Sequence, residues 1–372
     1  MKQKSKKWPT FLAFLLILTL MTACSSNDIK DDVEEKVITV TDMLGRKVEI
    51  PQDADQFVNV GVGALRLYTY VAPLDQLVGI EKKETEGQTG VPYSVMNQSI
   101  FESLPIIGQG GPTGTADPEQ ILTVAPDVIF NTYAMDAASA DELQEKTGIP
   151  VVVLSYGENG GIFNQEILDS LRLIGIITGE EEHAEEVVAI LKEYEADLTT
   201  RTSQIKEEDK PTVYIGALGN KGPQGIESTQ GDYSLTNILQ VNNVVDQTGK
   251  KGSLMIDKEQ LLTWDPEYIF IDLDGYQIVQ KDYEKNTAFY QSLTAFKNDH
   301  VHVQLPFILL RTNVETAIAD AYYMGTVLYP QEFKDIDPEK KADEIYTKLL
   351  GKPFYEQMVQ DYSEFGKFKT QE

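Results

Sequence analysis

The stretch ADPEQILTVAPDVIFN, residues 116–131, returns as IDKEQLLTWDPEYIFI at residues 256–271. Aligned without a gap, the copies share Asp, Glu, Gln, Leu, Thr, Pro, Ile and Phe at matching places, at an offset of 140 residues. Solenoid repeats have periods of roughly 20–50 residues, and 140 is instead the size of a domain. The repeat therefore implies two lobes built alike. Each copy opens on a helix-start signal. Asp117 caps, Pro118 takes the first helical position, and Glu119 and Gln120 follow; Asp257, Lys258, Glu259 and Gln260 repeat the arrangement. Each helix stops before a proline, Pro126 or Pro266, and a strand follows.

Strand and helix patterns alternate around the copies, implying α/β lobes. Residues 37–50, VITVTDMLGRKVEI, read as a hairpin turning at Leu44-Gly45 and ended by Pro51. FVNVGVGALRLYTYVA then gives a strand, a glycine turn and a helix, and further short strands fall at 78–80, 128–131 and 151–154. The second lobe repeats the rhythm at 212–218, 268–273 and 300–305. Between the lobes, Ala184, Val187, Val188, Leu191, Tyr194, Leu198 and Ile205 keep helical spacing, with no Gly or Pro from Glu180 to Asp209. A rod of about 26 residues is on the order of 40 Å long. The expected architecture is two Rossmann-like lobes, 37–178 and 210–330, joined by one long α-helix at 179–209. A ligand cleft lies between the lobes, helices at 331–372 pack on them, and the lobe angle changes little on binding.

The chain carries 32 basic and 59 acidic residues, a net charge of −27. Such a surface is repelled by nucleic acid and anionic lipid. Residues 1–23 differ: Lys2, Lys4, Lys6 and Lys7 precede an apolar run from Phe11 to Met21, and Thr22-Ala23-Cys24 follows. This is a secretory leader, too short for a membrane span of ~20 residues. Its four lysines are its only charges, so its removal leaves −31. Cys24 is the only cysteine, which excludes an internal disulfide. It resembles the lipobox cysteine of bacterial lipoproteins, although Met21 stands where Leu is usual. On that reading residues 24–36, apolar-poor, tether a membrane-anchored protein facing the extracellular or periplasmic side.

The lipobox, TVTDMLGRKVEIP, ADPEQILTVAPDVIF, the long helix and DKEQLLTWDPEYIFID together resemble the substrate-binding lipoproteins of ABC importers for ferric siderophores, haem and vitamin B12. The resemblance covers most of residues 20–330. It implies a non-catalytic, monomeric receptor with no cofactor, which captures an iron complex and passes it to a permease dimer served by separate ATPase subunits. In that family the glutamates matching Glu119 and Glu259 meet arginines on the two permease subunits. The chain has no GxxxxGK[ST] loop of its own.

Ligand contacts are expected from loops at the carboxyl ends of strands. The candidates are Arg66 after the glycine turn, Tyr133, Tyr156, Gln224 and Tyr233 in the loop at 216–233, Tyr276, Phe307 and Arg311. Aromatic walls with arginines suit a bulky anionic chelate. Haem, cobalamin and an oxyanion such as molybdate remain open, and a chelatase-like enzyme or an adhesive lipoprotein are the competing classes. Direct capture of bare zinc or manganese fits poorly. His183 lies in the acidic linker, and His300 and His302 read as ordinary strand residues.

Overall fold

The computed structural model describes residues 36–157, 161–219 and 221–370. The leader, Cys24 and the tether up to residue 35 lie outside the described residues. The chain opens with the expected hairpin, β1 (Val37–Thr41) against β2 (Lys47–Pro51), antiparallel, with Gly45 at φ 78° in its turn. The Met43 amide donates to the Val153 carbonyl at 3.1 Å, which fastens the hairpin tip beside the first sheet.

That sheet is parallel. β3 (Phe57–Val60) pairs with β6 (Val128–Asn131), which pairs with β7 (Val151–Val153). On its other side, β3 receives the Val78 amide at the Phe57 carbonyl (3.1 Å), so the parallel pair β4 (Ile80–Glu81) and β5 (Ile106–Gly108) extends the same edge. The second sheet has the order β10 (Asn242–Asn243), β8 (Thr212–Gly216), β12 (Tyr268–Asp272), β13 (Val301–Gln304), also all parallel. Strands with helices on both faces are buried throughout, which is why VIFN and YIFID read as unbroken apolar runs. β9 (Ser228–Gly231) and β11 (Gly252–Met255) form a separate antiparallel pair. STQG has no apolar alternation, so β9 hides inside what the sequence presents as one long loop at 216–233.

The linker helix runs Glu181–Thr202, 22 residues or about 33 Å, rather than to 209. Its last turn is rich in hydroxyls that bond backwards. Thr202 donates to the Leu198 carbonyl (3.2 Å) and Ser203 to that of Thr200 (2.9 Å), after which Lys206 is extended. Such side chains compete with the helical ladder and favour its end. Val314–Leu328, Pro338–Leu350 and Tyr355–Asp361 complete the chain. One apolar core runs through both sheets, the linker helix and these C-terminal helices, and a smaller cluster covers one face of the first sheet. The two lobes implied by the repeat thus share one core. The core is continuous because the helix Ala64–Val71 packs against the linker helix and Pro338–Leu350, and Val314–Leu328 also meets both of these.

Both copies of the repeat fold as the spacing requires. Asp117 accepts the Gln120 amide (3.2 Å) and Asp257 that of Gln260 (2.7 Å), capping the helices Pro118–Leu122 and Lys258–Trp264. Ile121 and Leu261 are buried beneath them. The chain then reverses through a left-handed residue before each proline, Ala125 at φ 45° and Asp265 at φ 41°. Next comes an acid that ties down the neighbouring strand. Asp127 accepts the amides of Asp55 and Gln56 ahead of β3 (both 2.9 Å), and Glu267 accepts the Thr212 amide at the start of β8 (2.9 Å).

Candidate functional site

Parallel strands end where helices begin, so backbone groups and loop side chains converge at the carboxyl edge. At that edge of the first sheet lies a cleft of about 520 Å³. Thr132 and Ala134 follow β6, Leu154 to Gly157 follow β7, Met43 and Leu44 come from the hairpin tip, and Glu166 comes from the helix Gln165–Thr178. Arg311 alone closes it from the second half of the chain. Arg311 is exposed, and it and Leu310 are both held in the left-handed region, at φ 71° and 50°. Such a conformation costs a non-glycine residue roughly 1–2 kcal/mol, so the surrounding structure must enforce it.

Arg66 does the enforcing. It is fully buried, and its guanidinium donates to the carbonyls of Leu309 (3.0 Å), Leu310 (2.8 Å) and Thr312 (3.2 Å). It also donates to the Tyr156 hydroxyl (3.3 Å) and lies 5.0 Å from the centre of the Tyr93 ring. Burial works against its charge, but Tyr156, Tyr93, Tyr70 and Glu315 around it outweigh that and raise its pKa. Arg66, expected to face an anion, is instead a strut from the first half of the chain to the loop that carries Arg311. The glycine turn before it is likewise structural. The Gly61 amide is taken by Glu81 (3.0 Å), and a Cβ at Gly61, φ 95°, would sit 2.5 Å from Thr132 Oγ1.

The other expected contacts divide. Tyr156 lines the cleft, although its hydroxyl donates inward to Gly63 (2.9 Å). Tyr133 faces a neighbouring recess of about 370 Å³, with its hydroxyl 3.3 Å from the Gly111 carbonyl and 3.4 Å from Glu81. Burial pushes Glu81 up to about 7, against the pull of the Gly61 amide and Tyr133. Tyr233 and Phe307 are fully buried against each other, ring centres 5.9 Å apart, because β9 and the Phe307–Thr312 turn fold them into the core. Tyr276 serves the C-terminal tail: its hydroxyl donates to the Lys369 carbonyl (3.1 Å) and its ring packs on Phe368. Gln224 is half-buried in the loop before β9 and lies outside the cleft lining. His300 stacks on Tyr268 at 4.4 Å, and His302 bonds to the Tyr323 hydroxyl (3.0 Å), held down to about 4 mainly by burial. The cleft residues missed from sequence include Met43, Leu44, Thr132, Ser155 and Glu166. Only the strand-end positions of Thr132 and Ser155 could have pointed to them.

A larger hollow of about 680 Å³ lies between the linker helix and Pro338–Leu350. Its Arg201, Lys341 and Lys348 are each committed to an acid: Arg201 to Asp335 (2.7 Å), Lys341 and Lys348 to Glu344 (2.7 and 3.2 Å). Glu119 and Glu259, by contrast, are exposed and form no ion pair among the described residues. Because each repeat helix reverses into its strand, its N-terminal acid lies toward that strand's carboxyl end.

The sequence model of one family, described as periplasmic binding protein, matches residues 89–304. Among curated proteins, the molybdate-binding protein MolA of Haemophilus influenzae is 23% identical, with 91% of this chain and 96% of that protein aligned. An uncharacterised ABC transporter substrate-binding lipoprotein of Bacillus subtilis, YvrC, is 21% identical over 90% of this chain and 100% of its own length. Among solved structures, MolA bound to molybdate superposes with a TM-score of 0.66 at 21% identity, covering 85% of this chain and 98% of that one. CeuE of Helicobacter pylori, in a nickel–histidine complex, gives 0.61 at 16% identity, covering 87% and 98%.

Proposed function

Since the chain belongs to the periplasmic binding protein family and is an ABC transporter substrate-binding protein, we propose that it captures an anionic metal complex in the 520 Å³ cleft and hands it to a permease. The observation that carries the reading is Arg311, the one basic side chain among the described residues of the cleft lining, set opposite the strand ends of the first sheet. A guanidinium presents a rigid fork of donors to anionic oxygens. The hydroxyls of Thr132 and Ser155 add further polar groups.

A ferric siderophore is the first reading, because the cleft volume falls in the range of roughly 300–1,000 Å³ that suits ligands of that size. An oxyanion of the molybdate type is the second. It is favoured by the MolA relative, aligned over nearly the whole chain, and by the burial of Tyr233 and Phe307, which leaves Tyr156 as the one aromatic among the described residues of the lining. Intrinsic-fluorescence and thermal-shift titrations against ferric hydroxamates, ferric catecholates, haem, cobalamin, molybdate and tungstate separate the two. One class alone is expected to raise the melting temperature with concentration, following RT ln(1 + [L]/Kd). Chemical change in a bound compound would contradict a receptor role and favour an enzyme.

A lipid anchor at Cys24 fits delivery at the membrane, and no helix among the described residues is long and apolar enough to cross it. Glu119 and Glu259 fit a role in docking to the permease. Exposed ion pairs contribute only about 0–1 kcal/mol each, so their use is orientation. Glu119→Ala with Glu259→Ala is expected to weaken transport and leave ligand affinity unchanged.

A further inference from the structure

Two hydroxyls of the cleft lining give their hydrogens away from the cleft. Thr132 donates to the Val62 carbonyl (3.0 Å) and Tyr156 to that of Gly63 (2.9 Å), so both are committed to the glycine turn. The Tyr156 oxygen also accepts from Arg66 (3.3 Å). A hydroxyl has one hydrogen to donate. Thr132 therefore offers a ligand only lone pairs, and Tyr156 chiefly its ring. Ser155 accepts the Gly157 amide (3.0 Å) and keeps its own hydrogen to give.

Glu166 adds an acid to the same lining. Asn164 caps its helix by accepting the Ile167 amide (3.0 Å), and a Cβ at Gly157 would sit 3.1 Å from Glu166 Oε2. The carboxylate thus lies over the loop that follows β7. Glu166 and Arg311 are both exposed, and neither forms an ion pair among the described residues, with the other or with any third group. One charge comes from each half of the chain, and together they cancel. A bare dianion placed between them would meet one guanidinium, one carboxylate and an acceptor at Thr132, and a charge taken from water without full pairing is costly. The lining also has an apolar part, Met43, Leu44 and Met135. Met135 is 82% exposed, the most exposed large apolar side chain among the described residues. A methionine moulds itself to irregular apolar surfaces, which an oxyanion lacks.

We infer that Glu166 determines specificity: it receives a protonated amine or other N–H group of the ligand, while Arg311 and Ser155 hold the anionic oxygens of the metal complex. The ligand is then a dipolar organic chelate with an apolar body against Met135, not a bare oxyanion. The inference rests on capture of a metal complex in this cleft and names the chemistry of that complex. An acid that pairs only with the correct ligand rejects the analogue lacking the donor, because its charge is then left unpaired.

Isothermal titration calorimetry on the full-length protein tests this. The probes are a ferric hydroxamate and a ferric catecholate, each with a free primary amine and with that amine acetylated, and molybdate. For a chelate that binds, the free-amine form is expected to bind about tenfold more tightly than the acetylated form. Glu166→Gln is expected to bring the two forms within about twofold of one another, and Met135→Ser to weaken both alike, about three- to fivefold. Both side chains are exposed, so melting temperatures stay within a few degrees of wild type. Equal affinity for the two forms in wild type, or a preference that survives Glu166→Gln, overturns the role of Glu166. Unchanged affinity in Met135→Ser overturns the apolar contact. Molybdate bound more tightly than every chelate, and lost in Arg311→Gln, overturns the dipolar ligand while leaving capture in this cleft standing. If none of the probes binds, the underlying reading fails as well.

Discussion

The two copies of the repeat share a scaffold and differ in what they lean on. In both, an aspartate caps the helix, an aliphatic side chain anchors it, a left-handed residue turns the chain and an acid ties the adjacent strand. The first helix, Pro118–Leu122, is short, and its turning residue is Ala125, which carries strain with no side chain to offset it. The second, Lys258–Trp264, is longer and more heavily tied. Lys258 pairs with Asp282 (2.5 Å) and Glu227 (3.4 Å). Asp265 accepts both the amide and the hydroxyl of Thr294 (2.7 Å each), tying down the start of the distant helix Thr294–Lys297. The two copies share the frame and the outward Glu and Leu, and the second has more internal ties. The first copy's half of the chain supplies nearly the whole cleft, and the second contributes Arg311.

The difference is open to direct perturbation. The largest effect is expected where the halves meet. Arg66→Ala leaves three loop carbonyls without their donor and removes a buried cation, so denaturant unfolding should show a loss of about 3–5 kcal/mol, with ligand affinity falling as Arg311 loses its position. Next, Ile121→Ala and Leu261→Ala should each cost about 2–5 kcal/mol, and similar values would confirm that the copies use their anchors alike.

The second half also buries an acid where the first has Thr132. Burial pushes Asp272 up to about 8, opposed by the Asp274 amide and Gln304, and burial raises Asp320 nearby as well. An unfolded aspartate titrates near 3.9. Between about pH 4 and pH 8 the folded state therefore holds the proton that the unfolded chain releases, and stability falls as pH rises through that window. Asp272→Asn keeps the neutral shape, and Gln304, whose Oε1 has no hydrogen-bond partner, can turn to receive it. The variant is expected to be more stable than wild type at pH 8, by on the order of 1–2 kcal/mol, and nearly equal at pH 4.5. A stability difference independent of pH would mean that Asp272 is not the titrating group.

The smallest effect is a change of sign. Ala125→Gly relieves a left-handed alanine and should stabilise by about 0.5–1 kcal/mol, whereas Asp265→Gly at the matching position removes the two hydrogen bonds from Thr294 and should destabilise by about 1 kcal/mol. Thermal melts of the pair settle it, and the same sign in both would show the turns to be equivalent.

The repeat made the lobes, both caps and the exposed acids legible in the sequence, because capping and turn chemistry are local. The burial of Arg66 was not legible. A glycine turn followed by arginine reads as an anion site, and only the fold shows the guanidinium meeting carbonyls some 240 residues away in the chain, at Leu309, Leu310 and Thr312. Tyr233 and Phe307 were misplaced for the same reason, since β9, without apolar alternation, gives no sign of drawing them inward. Met43 and Leu44 reach the cleft because the hairpin turn is tied to β7, by the Met43 amide to the Val153 carbonyl, by the Val153 amide to Asp42 and by Arg46 to the Val151 carbonyl, contacts that leave no trace in composition or period.

The central claim is that the ligand sits against Arg311 at the carboxyl edge of the first sheet. The crystal structure of the protein soaked with whichever compound raises its melting temperature tests it most directly. Metal-centred density is expected within hydrogen-bonding reach of the Arg311 guanidinium and the Thr132 and Ser155 hydroxyls. Density confined to the hollow between the linker helix and Pro338–Leu350, with Arg311 facing water, would contradict it.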